Sequence, residues 1–392
     1  MLGGLTNLSV IDPPFLIGLG VATAVVFVAS WFRLPRAWMQ WGIRAGGMVL
    51  AITMIAASVN ARYAYLPTVA ALFGRGATDQ MSPAQFRQLQ LAEGGGRPSF
   101  HIRTALAHDS VVNGGPALSL THGVVVPFRI APTMSHFQAR TAEVYLPPAY
   151  FQTPRPHLPV IELLHGTPGA VVDWTRGGLA DVTSDAYAAQ HGGVAPILVM
   201  PDVNGSWDSD TECVNGKRGN AQTYLTTDVR AAVISRLGAR RDAAGWAIAG
   251  FSEGGYCALQ IGLRHPNLYG TIADFSGESG PSTGGGVQHL FAGTAQQAER
   301  SATQYQPAHL LAGWDRPVHP AIWFEVGSSD STLSTLARLD LLARAHGFDT
   351  RFVEQQQASH SFASWSDAFH DALPWIASSF GAPQETVVPG RA

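Results

Sequence analysis

The chain has 392 residues, 46% of them hydrophobic and only 14% charged, enough for one large α/β domain plus a smaller segment and low in charge for a water-soluble protein. The net charge of −3, with no basic stripe, argues against a nucleic-acid-binding surface. Two cysteines, Cys213 and Cys257, are too few for a disulfide framework or a four-thiolate metal site.

Near the N-terminus, Phe15 to Phe32 is a run of 18 residues without a charge, and Ala45 to Ala61 is a second run of 17. About 20 apolar residues cross a bilayer as a helix, so residues 1–73 read as a two-helix transmembrane hairpin. The second run, with Asn60 and two glycines, is the weaker span. Arg33, Arg36 and Arg44 lie between the runs and no Lys or Arg precedes them. That bias puts the short loop in the cytoplasm and everything after residue 61 outside, and the missing positive n-region argues against a cleaved signal peptide. Trp31, Trp38, Trp41, Tyr63 and Tyr65 fall where an interfacial aromatic belt belongs. In an oxidising compartment Cys213 and Cys257 either pair or remain two buried thiols, and the sequence leaves both open.

Residues 74–120 read as a polar tether, with a short helix expected over Met81–Ala92. From residue 121 to 381 the pattern is that of an α/β domain. Two opening strands, 123–130 and 139–146, belong at a sheet edge, because Pro127 has no N–H for a central ladder. Apolar strand candidates follow at 158–164, 195–200, 245–249, 269–275, 321–326 and 350–354. They alternate with helical patterns at 223–237, 253–264, 331–346 and 364–380, and such alternation predicts a mostly parallel sheet covered on both faces. Residues 382–392 read as a flexible tail.

The chemistry concentrates in the loops after these strands. Val160–Leu164 runs into His165-Gly166-Thr167-Pro168-Gly169. A tetrahedral intermediate needs two preorganised N–H donors, one from a loop of this kind. Pro168 has no N–H, so Thr167 is the expected donor, with Gly166 behind it; His165 reads as a residue bracing the loop. Farther on, Asp208, Asp210 and Glu212 alternate in a loop, but the spacing fails the EF-hand calcium pattern, and the loop reads as structural or as contacting a polar substrate.

Gly250-Phe251-Ser252-Glu253-Gly254 follows an apolar strand and opens a helix. This is the nucleophile-elbow pattern, in which small residues two before and two after the serine let strand and helix approach. The helix N-terminus then presents free N–H groups to the serine, and Glu253 is the expected second oxyanion donor. A serine needs a base, and the base an orienting carboxylate, in the chain order Ser, acid, His. Asp330 lies just past the strand ending near Val326, and His360 in the loop one strand further on. Both loops open at the carboxyl edge of a parallel sheet, where such proteins bind ligands. Ser252, Asp330 and His360 are thus the expected triad. Residues 278–315 form a long insertion beside this edge, either a lid or a tolerated surface segment.

The motifs Gly250–Gly255, Arg264-His265-Pro266, Phe275-Ser276-Gly277, His165–Gly169 with Asp173-Trp174, and Ser359-His360-Ser361-Phe362 with Trp365 together resemble esterase D-type α/β-hydrolases. That superfamily includes mycolyltransferases and feruloyl-type esterases, and the likeness spans about residues 120–380. It implies the α/β-hydrolase fold, the triad above, Thr167 and Glu253 as oxyanion donors, and no cofactor or metal. The N-terminal hairpin departs from mycolyltransferases, and their trehalose contacts find no match here. The expected protein is a membrane-anchored, extracytoplasmic serine hydrolase or acyltransferase acting through acyl-Ser252 on envelope lipid or sugar esters. The alternatives are a catalytically silent envelope-binding module, against which the intact triad argues, and a serine peptidase.

Overall fold

A computed structural model describes residues 9–32, 37–66, 121–152 and 154–381. The expected helix at Met81–Ala92, the tether at 74–120, Arg33 and Arg36, and the tail at 382–392 lie outside the described residues. The chain divides into two compact units, one containing the N-terminal helices and the other the sheet.

In the first unit, α1 (Pro13–Ala29) starts with prolines at its first positions, where a missing N–H costs nothing, and α2 (Ala37–Tyr63) packs beside it. The apolar run to Phe32 outlasts its helix, which stops at Ala29. The run from Ala45, by contrast, lies inside a longer helix that begins at Ala37 and takes in Arg44. Among the described residues α2, at 27 residues, is the one helix long and apolar enough to cross a membrane, although sequence ranks it the weaker span; α1, at 17, falls short. Neither helix has a buried residue, and Val21, Val25 and Phe27 on α1 and Met48, Ile52 and Ile55 on α2 are all exposed.

The second unit is an eight-stranded sheet. Its strands are β1 (Val124–Phe128), β2 (Ala142–Leu146), β3 (Val160–Leu164), β4 (Ile197–Met200), β5 (Trp246–Phe251), β6 (Thr271–Phe275), β7 (Ala321–Gly327) and β8 (Thr350–Gln355), and they match the eight expected segments. Their order is β1-β2-β4-β3-β5-β6-β7-β8. β1 and β2 join antiparallel at one edge, and from β4 through β8 every pairing is parallel. Pro127 sits on the outermost strand, where a missing donor breaks no second ladder. The central strands β3 to β6 are buried along their whole length, whereas the edge strand β8 is partly exposed. Continuous burial explains their largely apolar sequences, broken only by the buried Glu162 of β3 and Thr271 and Asp274 of β6.

Helices cover the sheet. The expected helix at 223–237 is present, with a wide turn over Tyr224–Val229 before α4 (Arg230–Leu237). α5 (Glu253–Arg264) packs on β5 and β6, α8 (Leu333–Ala345) on β7 and β8, and α9 (Phe362–Ser379) ends the described chain. The sequence reading missed α3 (Ala180–Gln190), which begins without a capping side chain. It also missed α6 (Ala295–Thr303) and α7 (Pro307–Ala312) inside the 278–315 insertion. Thr294 and Gln297 form a capping box at the start of α6, and Ala298 and Ala302 pack with Leu290 and Phe291 in a small core of their own.

Cys213 and Cys257 are joined in a disulfide that links the loop after β4 to α5. With 44 residues of sequence separation, the bond closes a loop whose entropy model gives about 4 kcal/mol of stabilisation. Replacing both cysteines by alanine should lower the unfolding free energy of the sheet unit by an amount near that figure, read as a lower urea midpoint by circular dichroism.

Candidate active site

β5 runs into α5 through one residue, Ser252, with φ 55° and ψ −126°. A non-glycine residue seldom holds such angles, and here the packing on both sides imposes them. A Cβ on Gly250 would run into the Gly254 carbonyl, and one on Gly254 into the Leu164 carbonyl at the end of β3. The Ser252 N–H is tied to the Phe275 carbonyl on β6 at 2.9 Å, and the Gly255 N–H returns to the Ser252 carbonyl at 2.9 Å.

Three side chains far apart in sequence meet at this turn. His360 Nε2 lies 2.9 Å from Ser252 Oγ, and His360 Nδ1 lies 2.8 Å from Asp330 Oδ2. Asp330 Oδ1 accepts the Thr332 N–H at 2.9 Å and its hydroxyl at 3.0 Å. Burial alone would raise the Asp330 carboxyl, but the hydrogen bonds from His360 and Thr332 outweigh it and hold the group below its ordinary value. The loops that carry the acid and the imidazole are stitched together by Ser329 N–H to the Ala358 carbonyl at 2.9 Å and Ser328 N–H to the Gln355 carbonyl at 2.8 Å. Trp365 stands edge-on to His360 at 4.9 Å between ring centroids and stacks on Phe251 at 4.5 Å, so an aromatic wall backs the imidazole.

The 165–169 loop lies against the same turn: a Cβ on Gly166 would sit 3.1 Å from Ser252 Cβ. Its Thr167–Pro168 peptide bond is cis. Thr167 and Glu253 meet side chain to side chain, the Thr167 hydroxyl bonding Glu253 Oε2. Asn204, from the loop after β4, donates to Glu253 Oε2 at 2.9 Å and also to the Thr167 hydroxyl. His165 is fully buried behind this loop, with Nδ1 at 2.8 Å from the Gly166 carbonyl and Nε2 at 3.3 Å from the Val203 nitrogen and 3.4 Å from Asp202 Oδ1. It does not reach Ser252 and braces the loop.

Asp208 is exposed and takes the Ser206 hydroxyl at 3.1 Å, whereas Asp210 and Glu212 turn inward. Carboxylate oxygens of Asp210, Glu212 and Glu253 come within 4.8 Å of one another. Burial first, and then the neighbouring Asp210, pushes the Glu253 carboxyl up to about 8. An acid with that pKa carries its proton at pH 7, which relieves the crowding.

The sequence reading did not single out Asn204, Asp202 or Arg140. Asp202 and Asn204 follow β4 directly at the carboxyl edge of the sheet, a position that could have drawn notice. Asp202 is fully buried and pairs with Arg140 Nη2 at 2.6 Å, and it accepts backbone N–H groups from Arg140, Asn204 and Gly205. Arg140 also donates to the Gly169 carbonyl at 3.1 Å, fixing the far end of the 165–169 loop.

These features define an α/β-hydrolase, with a serine, an imidazole and a carboxylate aligned at the carboxyl edge of its sheet. The model of the family described as "Putative esterase" matches residues 135–379, and the chain belongs to that family. It is an enzyme of the esterase or acyltransferase type. An uncharacterised protein of Corynebacterium glutamicum is 31% identical over 344 residues, covering 85% of this chain and 75% of its own. A ferulic acid esterase superposes with a TM-score of 0.56 at 20% identity, over 66% of this chain and 99% of its own. The Staphylococcus aureus fluorophosphonate-binding serine hydrolase FphF superposes at 0.53 and 18% identity, over 65% and 99%. At such identities the two structures speak for the fold alone.

For Asp202, burial would raise the carboxyl, but the hydrogen bonds from His165 and Arg140 overcome it and hold the group far below the usual carboxylate range. The folded state therefore keeps Asp202 ionised where the unfolded chain, with a pKa of about 3.9, takes up a proton. Its contribution is present above that pH and fades as the pH falls below it. Asp202→Asn should cost about 3 kcal/mol at pH 7, because it leaves Arg140 without its partner. Urea titrations should show the gap to wild type narrowing below about pH 4.

Proposed function

We propose that Ser252 is the nucleophile of a serine acyl hydrolase or acyltransferase, with His360 as its base and Asp330 as the group that orients the base. The 2.9 Å and 2.8 Å contacts of His360 with Ser252 and Asp330 carry this reading. His360 Nε2 takes the hydroxyl proton as Ser252 Oγ attacks an ester carbonyl. Asp330, kept ionised, stabilises the imidazolium that forms. The backbone N–H groups of Thr167 and Glu253 receive the oxyanion. The imidazolium then protonates the departing alcohol, leaving acyl-Ser252. Water resolves it in hydrolysis and a sugar or other polyol hydroxyl in transfer; His360 serves as base again in either case.

For substrate and place, we propose esters of envelope lipids or sugars, met by an enzyme anchored in a membrane with its catalytic portion outside the cytoplasm. The long apolar helix α2, which has no fully buried residue, supports the anchor. The Cys213–Cys257 disulfide supports an oxidising compartment. The domain reading, a hairpin at 1–73, a tether at 74–120 and a catalytic domain at 121–381, belongs to the same proposal.

A fluorophosphonate probe should label the full-length protein at Ser252, and mass spectrometry of the labelled peptide reads this out. Ser252→Ala should abolish labelling and lower kcat by about 10⁴-fold or more on a short-chain ester, and Asp330→Asn by about 10⁴-fold. Labelling that survives Ser252→Ala would sink the assignment. Adding a polyol to the same assay separates the two outcomes for the acyl group: a transfer product that grows at constant ester turnover identifies an acyltransferase.

A further inference from the structure

The two N–H groups assigned to the oxyanion sit on separate segments. Thr167 belongs to the loop after β3 and Glu253 is the first residue of α5. Donors of this kind act because they are fixed in advance at the place where charge develops, so something must hold the two segments at a set distance. We propose that the Glu253 carboxyl and the Asn204 amide are positioning residues that lock the two oxyanion donors together, a role that rests on the acyl-Ser252 reading above.

The contacts form a closed circuit. Glu253 contributes its N–H to the oxyanion, and its side chain turns back into the protein, where Oε2 receives the Thr167 hydroxyl. One carboxyl therefore joins both donor residues. The Asn204 Nδ2 group bridges the same two partners, reaching Glu253 Oε2 at 2.9 Å and the Thr167 hydroxyl beside it. Asn204 Oδ1 accepts the Thr211 N–H at 2.9 Å, which leaves the amide a single useful orientation. Glu253 Oε1 accepts the Glu212 N–H at 3.2 Å, and the next residue, Cys213, is bonded to Cys257 on α5. On the other side the Asn204 N–H is held by Asp202 at 3.1 Å, and Asp202 by Arg140, which also grips Gly169 in the Thr167 loop. Glu253 and Asn204 are 3% exposed each, so water does not compete for these bonds.

The charge of the carboxyl matters because an ionised group here would oppose the developing oxyanion. The titratable groups facing it are Asp210 and Glu212 from the loop after β4 and Tyr256 on its own helix, with Glu278 and Arg218 acting on Asp210. The carboxylates disfavour a further negative charge, Arg218 favours it, and Tyr256, its hydroxyl raised further by burial, stays neutral. Burial and Asp210 raise the Glu253 carboxyl to about 8, so the neutral form dominates below that pH and is lost above it. A neutral acid still offers an acceptor to Asn204 and a proton to a neighbour, as a carboxamide does.

The test uses the full-length chain on a short-chain ester, with competent sites counted by exhaustive fluorophosphonate labelling. Asn204→Ala should lower kcat per labelled site roughly tenfold to a hundredfold with KM within about twofold, because the loss falls on the transition state. Glu253→Gln, shaped like the neutral acid, should abolish the fall in kcat that wild type shows above about pH 8, whereas Glu253→Ala should lower kcat at every pH. A kcat per labelled site unchanged in Asn204→Ala, or a KM rising in proportion to the loss, would overturn the proposal. So would a Glu253→Gln pH profile that superposes on that of wild type. If wild type itself takes up no label at Ser252, the acyl-enzyme reading fails first and this role with it, a result seen before any variant is made.

Discussion

At Ser252 the chain turns from a buried strand into a helix within one residue, and the backbone angles that allow this are unfavourable for any side chain. They persist because β5 and α5 approach so closely at Gly250 and Gly254 that a Cβ at either place would strike backbone carbonyls. The Ser252 N–H is also held by β6. The strain is offset by burial of β5 and α5 along nearly their whole length. In return the hydroxyl is held clear of the sheet, at the N-terminus of α5, facing the loops that carry Asp330 and His360.

Four buried acids around that turn show how the environment assigns charge. Asp330 and Asp202 are enclosed, yet each collects enough hydrogen bonds from an imidazole, a guanidinium or backbone N–H groups to stay ionised below the usual range. Asp274 and Glu253 also accept hydrogen bonds, but burial outweighs them, the neighbouring carboxylates Asp330 and Asp210 add to it, and the groups are pushed to about 7 and about 8. The ionised pair sits where positive charge is present or develops, at Arg140 and His360. The raised Glu253 sits beside the N–H groups assigned to an oxyanion, where a negative charge would be harmful. Residue type alone does not separate these cases; the balance of burial, neighbouring charges and donors at each carboxyl does.

The two units differ in what stabilises them. The sheet unit buries its apolar residues in one continuous core between sheet and helices. The N-terminal helices bury none of theirs, and large apolar side chains are exposed along both. In water such a surface is costly and in lipid it is not, the physical ground of the proposed membrane anchor.

All eight strands were legible in the sequence because strand patterning is a local property: buried parallel strands read as short apolar runs between turn residues. The elbow was legible because its steric demand falls on residues two positions either side of Ser252, and the Asp330 and His360 positions because each follows a readable strand. Helix ends were less so. Ala29 closes α1 before its apolar run ends, and α2 takes in Arg44 although hydropathy alone stops short of it. Asn204, Asp202 and Arg140, the inward turn of the Glu253 side chain and the pairing of Cys213 with Cys257 were decided only by the tertiary structure. They depend on the strand order β2-β4-β3-β5, which brings loops distant in sequence to one edge of the sheet, and nothing local in the chain encodes which loops will meet there.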